Sequence, residues 1–238
     1  MNIRPYIIIN GINSKDVKGL LVCSVPTITK PKIRIQTEEI DGRDGDIVTK
    51  LGYGAYDKAI EIGLTKDYDV DEIAGYFNSA GEVVFSNEPD KAYRYAIYDG
   101  INFDRLLRFK TASVNFHVQP FKYSYTDRKK IFDAPTSPLM IANYGNVESA
   151  PVYFITASGN VALSLNGVNV MNIAFGGSVA QLKIDTENLE AVAVASGALA
   201  NRSVAGDYND LRLKKGKNIL SWTGNIQKLE IDNFVRWV

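Results

Sequence analysis

The single histidine of the chain, His117, limits the catalytic chemistry that the sequence can support. One histidine excludes zinc sites built from several histidines and the His-Glu-x-x-His pattern of metalloproteases. A Ser-His-Asp hydrolase would have to use His117, and the chain has no Gly-x-Ser-x-Gly turn to supply the nucleophile. Because His117 falls on the polar face of a predicted strand, we interpret it as a surface or interface residue.

Three aspartates, Asp41, Asp44 and Asp46, crowd a polar loop that the sequence places over residues 40–50. Their spacing differs from that of an EF-hand, and no bidentate glutamate follows at the distance that a calcium loop needs. Aspartate before glycine is ordinary turn chemistry, and a long polar loop usually does more than join two strands. We therefore predict a subunit interface rather than a metal site, with Arg43 forming paired hydrogen bonds to a neighbour's carboxylate.

Aromatic residues in the second half raise the alternative of a carbohydrate site. Tyr208 and Trp222 are candidates to stack on sugar rings, although Trp222 sits in the middle of a predicted strand, where core burial is the favoured role. A glycosidase needs two opposed carboxylates in a cleft, and with 27 Asp and Glu residues a pair can always be drawn. The sequence identifies no catalytic residue, metal ligand or cofactor site, and we predict that the protein is not an enzyme.

The charge balance, the length of the apolar runs and the N-terminus indicate which partners and which compartment to expect. Lys plus Arg and Asp plus Glu both number 27 in 238 residues, so no overall attraction to nucleic acid or to membrane phosphates is expected. No apolar run approaches the ~20 residues of a membrane span, and the N-terminus lacks the layout of a signal peptide. We expect synthesis in a cytoplasm and no membrane insertion. Cys23 is predicted to be a buried structural thiol.

Turn residues and alternating strands predict a mainly β protein. In the first half, Val114 and Phe116 share one face of a strand whose other face is polar. One short amphipathic helix is expected after Asp69, because Glu72 stands at capping-box spacing. Gly81 is placed to end that helix.

The sequence divides into two domains at a charged and proline-rich stretch between Tyr125 and Pro138. We place the domains at residues 1–130 and 131–238. In the second, Leu165-Asn166-Gly167-Val168 predicts a hairpin on a type I′ turn. Many short strands at even spacing indicate a β-sandwich.

An ordered string of short phrases, none of them catalytic, runs from Phe85 to the C-terminus. The phrases are Phe85-Ser86-Asn87-Glu88-Pro89-Asp90-Lys91-Ala92-Tyr93, Phe116-His117-Val118-Gln119-Pro120-Phe121, Asn143-Tyr144-Gly145-Asn146-Val147-Glu148-Ser149-Ala150-Pro151-Val152, Leu165-Asn166-Gly167-Val168, Ile184-Asp185-Thr186-Glu187 and Leu213-Lys214-Lys215-Gly216-Lys217-Asn218-Ile219-Leu220-Ser221-Trp222-Thr223-Gly224. Each alone is turn chemistry. In this order and spacing they resemble the distal tail protein family of long-tailed phages and prophages of Gram-positive bacteria.

This resemblance implies both a fold and an assembly. The first domain in that family is a β-sandwich or barrel crossed by a single helix, and the second is a galectin-like β-sandwich. Six copies form a hexameric ring through their first domains. The ring is a baseplate hub at the tail tip of the virion, and it joins the tail tube protein to the tail-associated fibre or lysin protein. Receptor-binding proteins are a further candidate partner, and DNA passes through the channel without sequence-specific binding.

Two other functions stay open at the level of the sequence. A carbohydrate-binding module or a glycan hydrolase of the phage adsorption device would also use a β-sandwich with aromatic residues. A tail tube subunit would polymerise. Some relatives in the distal tail protein family carry an inserted sugar-binding domain, and this chain is too short to contain one.

Overall fold

The computed structural model describes residues 4–77 and 79–238, which divide into two compact units. The main segment of the first unit ends at Tyr125, and the second unit runs from Thr126 to Trp237. Each unit has a hydrophobic core of its own, and two curled sheets form half-barrels. The predicted fold class, mainly β with two β domains, is confirmed.

The first unit is built around one antiparallel sheet. Its strands are β1 (Ile7–Ile9), β2 (Ile12–Asn13), β3 (Leu20–Ser24), β4 (Ile33–Glu39), β5 (Asp46–Tyr53), β6 (Tyr56–Leu64), β7 (Ala80–Phe85), β8 (Lys91–Ala96) and β9 (Thr111–Ser124), and its α-helices are α1 (Val70–Tyr76) and α2 (Phe103–Phe109). The sheet has the order β2-β1-β7-β8-β9-β6-β3, whereas β4 and β5 pair in a separate two-stranded hairpin.

The core of the first unit follows from the alternation along β9. Val114 and Phe116 are buried, as that alternation predicts. The Phe116 ring meets the rings of Phe85 and Tyr95 edge to face, with centroids 5.7 and 5.0 Å apart. Ile73 of α1 is buried in the same cluster. The short helix therefore packs on the sheet through its apolar side.

The predicted helix is present, and its start is confirmed. The Asp69 carboxylate accepts hydrogen bonds from the backbone N–H groups of Asp71 and Glu72 at 3.0 and 3.1 Å, which is the N-cap arrangement. The Glu72 carboxylate accepts from the N–H of Lys18. The prediction that Gly81 ends the helix is wrong, since Gly81 lies in β7. Residues of β7 pair with β1 and β8, so the chain leaves the helix earlier.

A second helix, α2, corrects the expectation of a single helix in the first domain. The side-chain oxygen of Asn102 accepts from the N–H of Arg105 at 2.8 Å and caps its start. Lys110, in the left-handed conformation with φ of +60°, follows its end. Leu106 is the buried residue of α2. Phe103 also packs against the core, so α2 has an apolar side, but its seven residues are too few to give a clear helical period.

Cys23 corrects a further expectation, because its side chain is exposed rather than buried. On β3, Leu20 and Val22 are buried in the core. Successive residues of a strand point to opposite faces, and Cys23 therefore points away from that core. An apolar run in the sequence does not by itself bury each of its members.

The second unit is organised by two long antiparallel strands, β12 and β17. Its strands are β10 (Lys129–Asp133), β11 (Leu139–Asn143), β12 (Val152–Leu165), β13 (Val168–Ala174), β14 (Ala180–Asp185), β15 (Glu190–Ala193), β16 (Val204–Gly206), β17 (Gly216–Asp232) and β18 (Arg236–Trp237), with 3₁₀ turns at Asn201–Ser203 and Tyr208–Leu211. The sheet has the order β10-β17-β12-β13-β16, with β11 on β17 and β14 between β12 and β15.

Alternate residues of β12 fill the core of the second unit. Tyr153, Ile155 and Leu163 are fully buried, and the Tyr153 hydroxyl donates to a backbone carbonyl at 2.7 Å. The predicted hairpin between β12 and β13 is confirmed. Asn166 and Gly167 have φ of +52° and +85°, the two positive values that a type I′ turn requires.

Candidate functional site

The hairpin of β4 and β5 carries the predicted interface residues, and its geometry corrects the predicted loop. Residues 46–50, which the sequence placed in the loop, belong to β5, which pairs with β4 up to Glu39 opposite Asp46. The loop is therefore limited to residues 40–45. The four predicted residues, Asp41, Arg43, Asp44 and Asp46, are all exposed at this end of the hairpin.

One face of the β4–β5 hairpin carries uncovered apolar side chains beside polar ones, since Lys50 lies opposite Ile35 and Thr37 opposite Val48. The strand register places Ile33, Ile35 and Val48 on the same face, where they are 44%, 53% and 59% exposed. An isolated two-stranded hairpin is at best marginally stable in water. A row of exposed apolar side chains marks an interaction surface.

Charge is segregated along the same hairpin. The acidic residues near its tip are Glu38, Glu39, Asp41, Asp44 and Asp46, with Arg43 among them, and the basic residues near its root are Lys30, Lys32, Arg34 and Lys50. Glu39 and Asp46 stand directly opposite each other, an arrangement of like charges that destabilises a strand pair. Within residues 4–77 and 79–238, these tip carboxylates form no ion pair. The five carboxylates outnumber Arg43, and the tip therefore presents a net negative charge.

Three side chains hold the extended segment 25–32, which leads into the hairpin. Asn87, Lys58 and Tyr56 each donate a hydrogen bond to a backbone carbonyl of this segment, at 2.8, 2.8 and 3.4 Å. The segment belongs to no strand. These side chains therefore fix the direction in which the β4–β5 hairpin extends from the main sheet of the first unit.

Lys58 is a buried cation in a crowded setting. Its ammonium lies 5.1 Å from the centre of the Tyr93 ring. Glu88 forms an ion pair with Lys122 at 2.7 Å and accepts a hydrogen bond from the Tyr93 hydroxyl. Burial lowers the pKa of Lys58, the Glu88 carboxylate opposes that effect, and the Lys122 ammonium adds to it. The partly buried Glu88 carboxylate thus pairs with Lys122 and acts on Lys58 electrostatically, and the hydrogen bond to segment 25–32 is part of what holds Lys58 in place.

His117 pairs with Asp57 across neighbouring strands. The Nδ1 atom of His117 lies 2.7 Å from Oδ1 of Asp57, and the Tyr98 ring packs against the imidazole at 5.4 Å between centroids. No local pattern predicts this pair, because Asp57 lies on β6, far from β9 along the chain. In the part of the chain that the structure describes, no hydroxyl or thiol hydrogen-bonds to His117. The pair therefore lacks a nucleophile.

Tyr208 and Trp222, the candidate sugar-stacking residues, both support the structure of the second unit. The Tyr208 hydroxyl donates to the side-chain oxygen of Asn201 at 3.0 Å. Trp222 packs against the core, and its backbone N–H donates to the hydroxyl of Ser137 at 3.0 Å. No ring contact joins the two aromatic residues within residues 126–238. The structure does not bring them together as a platform.

The described ranges, residues 4–77 and 79–238, contain neither a candidate metal centre nor a candidate membrane-spanning helix. There, no three His, Cys, Asp or Glu side chains are grouped so as to hold a metal ion. None of the described helices has the length and apolar character needed to cross a bilayer.

The first unit matches a known family of phage tail domains. Residues 12–118 match the family model described as the phage tail protein RIFT-related domain, Sipho_tail. The matched segment includes the whole β4–β5 hairpin and ends within β9. This part of the chain is therefore similar to a phage tail domain.

Solved structures extend the likeness to the whole chain. SPP1 Dit (gp 19.1), a paradigm of the hub adsorption apparatus in phages that infect Gram-positive bacteria, is 15% identical, with 98% of this chain and 99% of that chain covered and a TM-score of 0.68. A chain of the phage P2 baseplate in its activated conformation with Ca is 8% identical, covering 99% and 98%, with a TM-score of 0.55. A chain of the phage p2 baseplate in its activated conformation with Sr is also 8% identical, with 98% of this chain and 99% of that chain covered and a TM-score of 0.52. No curated protein sequence matches the chain. The family match and the shared fold confirm the resemblance to distal tail proteins.

Proposed function

We propose that this chain is a distal tail protein that assembles into a hexameric ring, the hub between the tail tube and the tail-tip adsorption or lysin proteins. The β4–β5 hairpin carries the proposal, since it lies inside the matched phage tail domain and has uncovered apolar side chains and an acidic tip. DNA passes through the ring without sequence-specific contacts. The protein is made in the cytoplasm of the host and resides at the tip of the virion tail.

In this proposal a second copy covers the hairpin. Contact with Ile33, Ile35 and Val48 removes apolar surface from water, which stabilises association by about 25 cal/mol for each Å² buried. The acidic tip meets basic side chains of the neighbouring copy, while Arg43 pairs with one of the neighbour's carboxylates. Each copy offers its hairpin to the next, and such head-to-tail contacts close into a ring.

The two domains have different roles in the proposed hub. Residues 1–130 form the ring, and residues 131–238 form a galectin-like accessory sandwich. The partners are the tail tube protein, the tail-associated fibre or lysin protein and, at the periphery, receptor-binding proteins. The chain acts as a scaffold and not as an enzyme, an assignment supported by the similarity of its fold to SPP1 Dit and to a chain of the phage P2 baseplate.

The test is the mass of the full chain in solution, measured by size-exclusion chromatography with multi-angle light scattering. The wild type is expected to reach the mass of a hexamer of the 26.3 kDa chain. Val48→Asp should dissociate it, because a carboxylate would have to be buried in the interface. The matched control is Val168→Asp, at an exposed strand valine of the second unit. That variant should keep the wild-type mass.

Two results would contradict the proposal. One is a wild-type chain that remains monomeric across the accessible concentration range. The other is an equal effect of Val48→Asp and Val168→Asp on the mass of the assembly, which would show that the β4–β5 hairpin is not part of the interface. Negative-stain images of the wild-type particle provide an independent check on the ring.

A further inference from the structure

A groove of about 430 Å³ opens on the outward face of the second unit, across β12, β13, β16 and β17 and the 3₁₀ turn at Asn201–Ser203. Its volume is within the roughly 300–1,000 Å³ typical of small-molecule sites. Asparagine, serine, threonine and arginine side chains supply its polar lining, and no carboxylate lines it. Residues 126–238, where the groove lies, are described without a gap.

The strand register explains why the surface of the sheet is recessed at this groove. Thr223, Ala162, Asn172 and Ala205 are successive cross-strand partners from β17 to β16, so their side chains share one face. Their sequence neighbours, such as Ile173, point into the core. Strand faces usually carry β-branched or aromatic residues. Alanine at two positions of this row leaves a low floor bordered by polar side chains.

The polar groups around this floor have no partners of their own. Within residues 126–238 the side chains of Asn160, Asn172, Arg202, Ser203 and Thr223 form no hydrogen bond or ion pair. They offer amides, hydroxyls and a guanidinium with five N–H donors in a fixed fork. The groove is therefore rich in unused donors.

Arg202 stands apart from the other arginines of the second unit. Arg128 hydrogen-bonds to a side-chain oxygen, Arg212 lies 4.0 Å from a carboxylate and Arg236 donates to a backbone carbonyl. Arg202 alone, among the arginines of residues 126–238, has no hydrogen-bond acceptor or carboxylate partner among the described residues. Its charge is available to an anion from outside.

A β-bulge places Asn160 at one end of the groove. The pairing of β12 with β17 shifts register between Ser158 and Ala162. Gly224, with φ of +92°, lies so close that a Cβ there would stand 2.3 Å from the carbonyl oxygen of Asn160. Bulges re-aim side chains and are frequent beside binding sites. The bulge thus sets the position of Asn160, and a residue with a side chain in place of Gly224 would disrupt the bulge.

From these observations we infer that the groove binds an acidic sugar residue, one that bears a carboxylate or a phosphate, as part of an anionic polysaccharide. The guanidinium of Arg202 matches the two oxygens of either anion through paired hydrogen bonds. The amides of Asn160 and Asn172 and the hydroxyl of Thr223 pair with sugar hydroxyls. A lining without carboxylates does not repel the anion. This site is independent of ring assembly and adds a ligand to the second domain.

Saturation-transfer NMR on the full chain tests this inference with glucuronic acid, glucose 6-phosphate and glucose, and with inorganic phosphate as a competitor. At least one acidic sugar is expected to bind with a Kd on the order of 1 mM, as suits one sugar residue in an open groove. Glucose should bind roughly tenfold or more weakly, since it lacks the charge-assisted hydrogen bonds. The preferred acidic sugar distinguishes a carboxylate from a phosphate ligand.

Variants assign the signal to the groove. Arg202→Gln should weaken binding of the preferred acidic sugar roughly tenfold or more, and Ala205→Phe should weaken it by filling the floor. Arg108→Gln, at an exposed arginine of the first unit, is the matched control and should change nothing. Each variant should keep the wild-type mass in light scattering, which separates this test from that of the hub.

Three outcomes would overturn the inference. The first is no binding of either acidic sugar. The second is binding that Arg202→Gln leaves unchanged. The third is inorganic phosphate competing as strongly as glucose 6-phosphate itself, which would reveal an anion site that does not recognise the sugar.

Discussion

The β4–β5 hairpin of the first unit and the β12–β13 hairpin of the second differ in what covers them. Both are antiparallel pairs rich in β-branched residues. In the second, Val161 and Leu163 are buried in a core shared with β17. In the first, Ile35 and Val48 are more than half exposed. Residue type therefore decides strand formation, while burial depends on neighbouring strands, and among the described residues β4 and β5 pair only with each other.

The largest expected difference comes from truncating one apolar side chain in each hairpin. Leu163→Ala should lower the free energy of unfolding by about 2–5 kcal/mol, because it removes buried methyl groups and leaves a cavity. Ile35→Ala in the unassembled chain should change it by about 0.5 kcal/mol or less, as at most surface sites. Urea unfolding in dilute solution, followed by circular dichroism, measures both. Equal losses would mean that the β4–β5 hairpin is covered within the free chain.

The next effect concerns the attachment of the β4–β5 hairpin. Lys58→Met should lower the free energy of unfolding by about 1–3 kcal/mol, because a backbone carbonyl of segment 25–32 loses its hydrogen-bond donor. Hydrogen exchange should accelerate in that segment and leave the β12–β13 hairpin unchanged. Lys50→Met, at an exposed lysine of the hairpin, is the matched control. If both lysine variants behave alike, segment 25–32 is held by contacts other than Lys58.

Alternation and turn chemistry were sufficient to predict much of the fold. The face of β9 that carries Val114 and Phe116, the cap at Asp69 and the Asn166-Gly167 turn are all local features, each readable within a few residues. β5 was missed for a local reason too. Its pairing with β4 shifts register between Arg34 and Ile35, so the strand does not keep a simple alternation.

The surroundings of the candidate sites could not be read in this way. Sequence drew attention to Asp41, Asp44 and Asp46 by their type, yet gave no sign of the cross-strand repulsion between Glu39 and Asp46. The groove of the second unit depends on register across four strands, which brings Thr223 beside Ala162. No local pattern encodes that pairing, because the strands are far apart along the chain.

A pH titration sharpens the contrast between packed and uncovered strands. Burial raises the pKa of Tyr95, on the packed strand β8, from 10.0 to about 12. Since the pKa of Tyr95 is higher in the folded than in the unfolded state, its contribution to the free energy of unfolding is complete below pH 10.0. That contribution is lost as the pH rises through about 12. Tyr95→Phe should flatten the fall in stability over that window. An unchanged pH profile would show that Tyr95 does not contribute to alkaline unfolding.

The smallest expected effect has opposite signs in the free and the assembled chain. Asp46→Asn removes the like-charge pair with Glu39 and should stabilise the free β4–β5 hairpin by roughly 0.2–1 kcal/mol. The same change removes one charge from the acidic tip, so it should weaken the ring if basic side chains of a second copy meet that tip. Thermal melting of dilute chain and light scattering at increasing salt separate the two, because salt screens exposed charges. Stabilisation of the free chain with a smaller loss of assembly on adding salt would support the contact. If assembly and its salt dependence match those of the wild type, Asp46 faces solvent in the ring and the contact is limited to the apolar side chains of the hairpin.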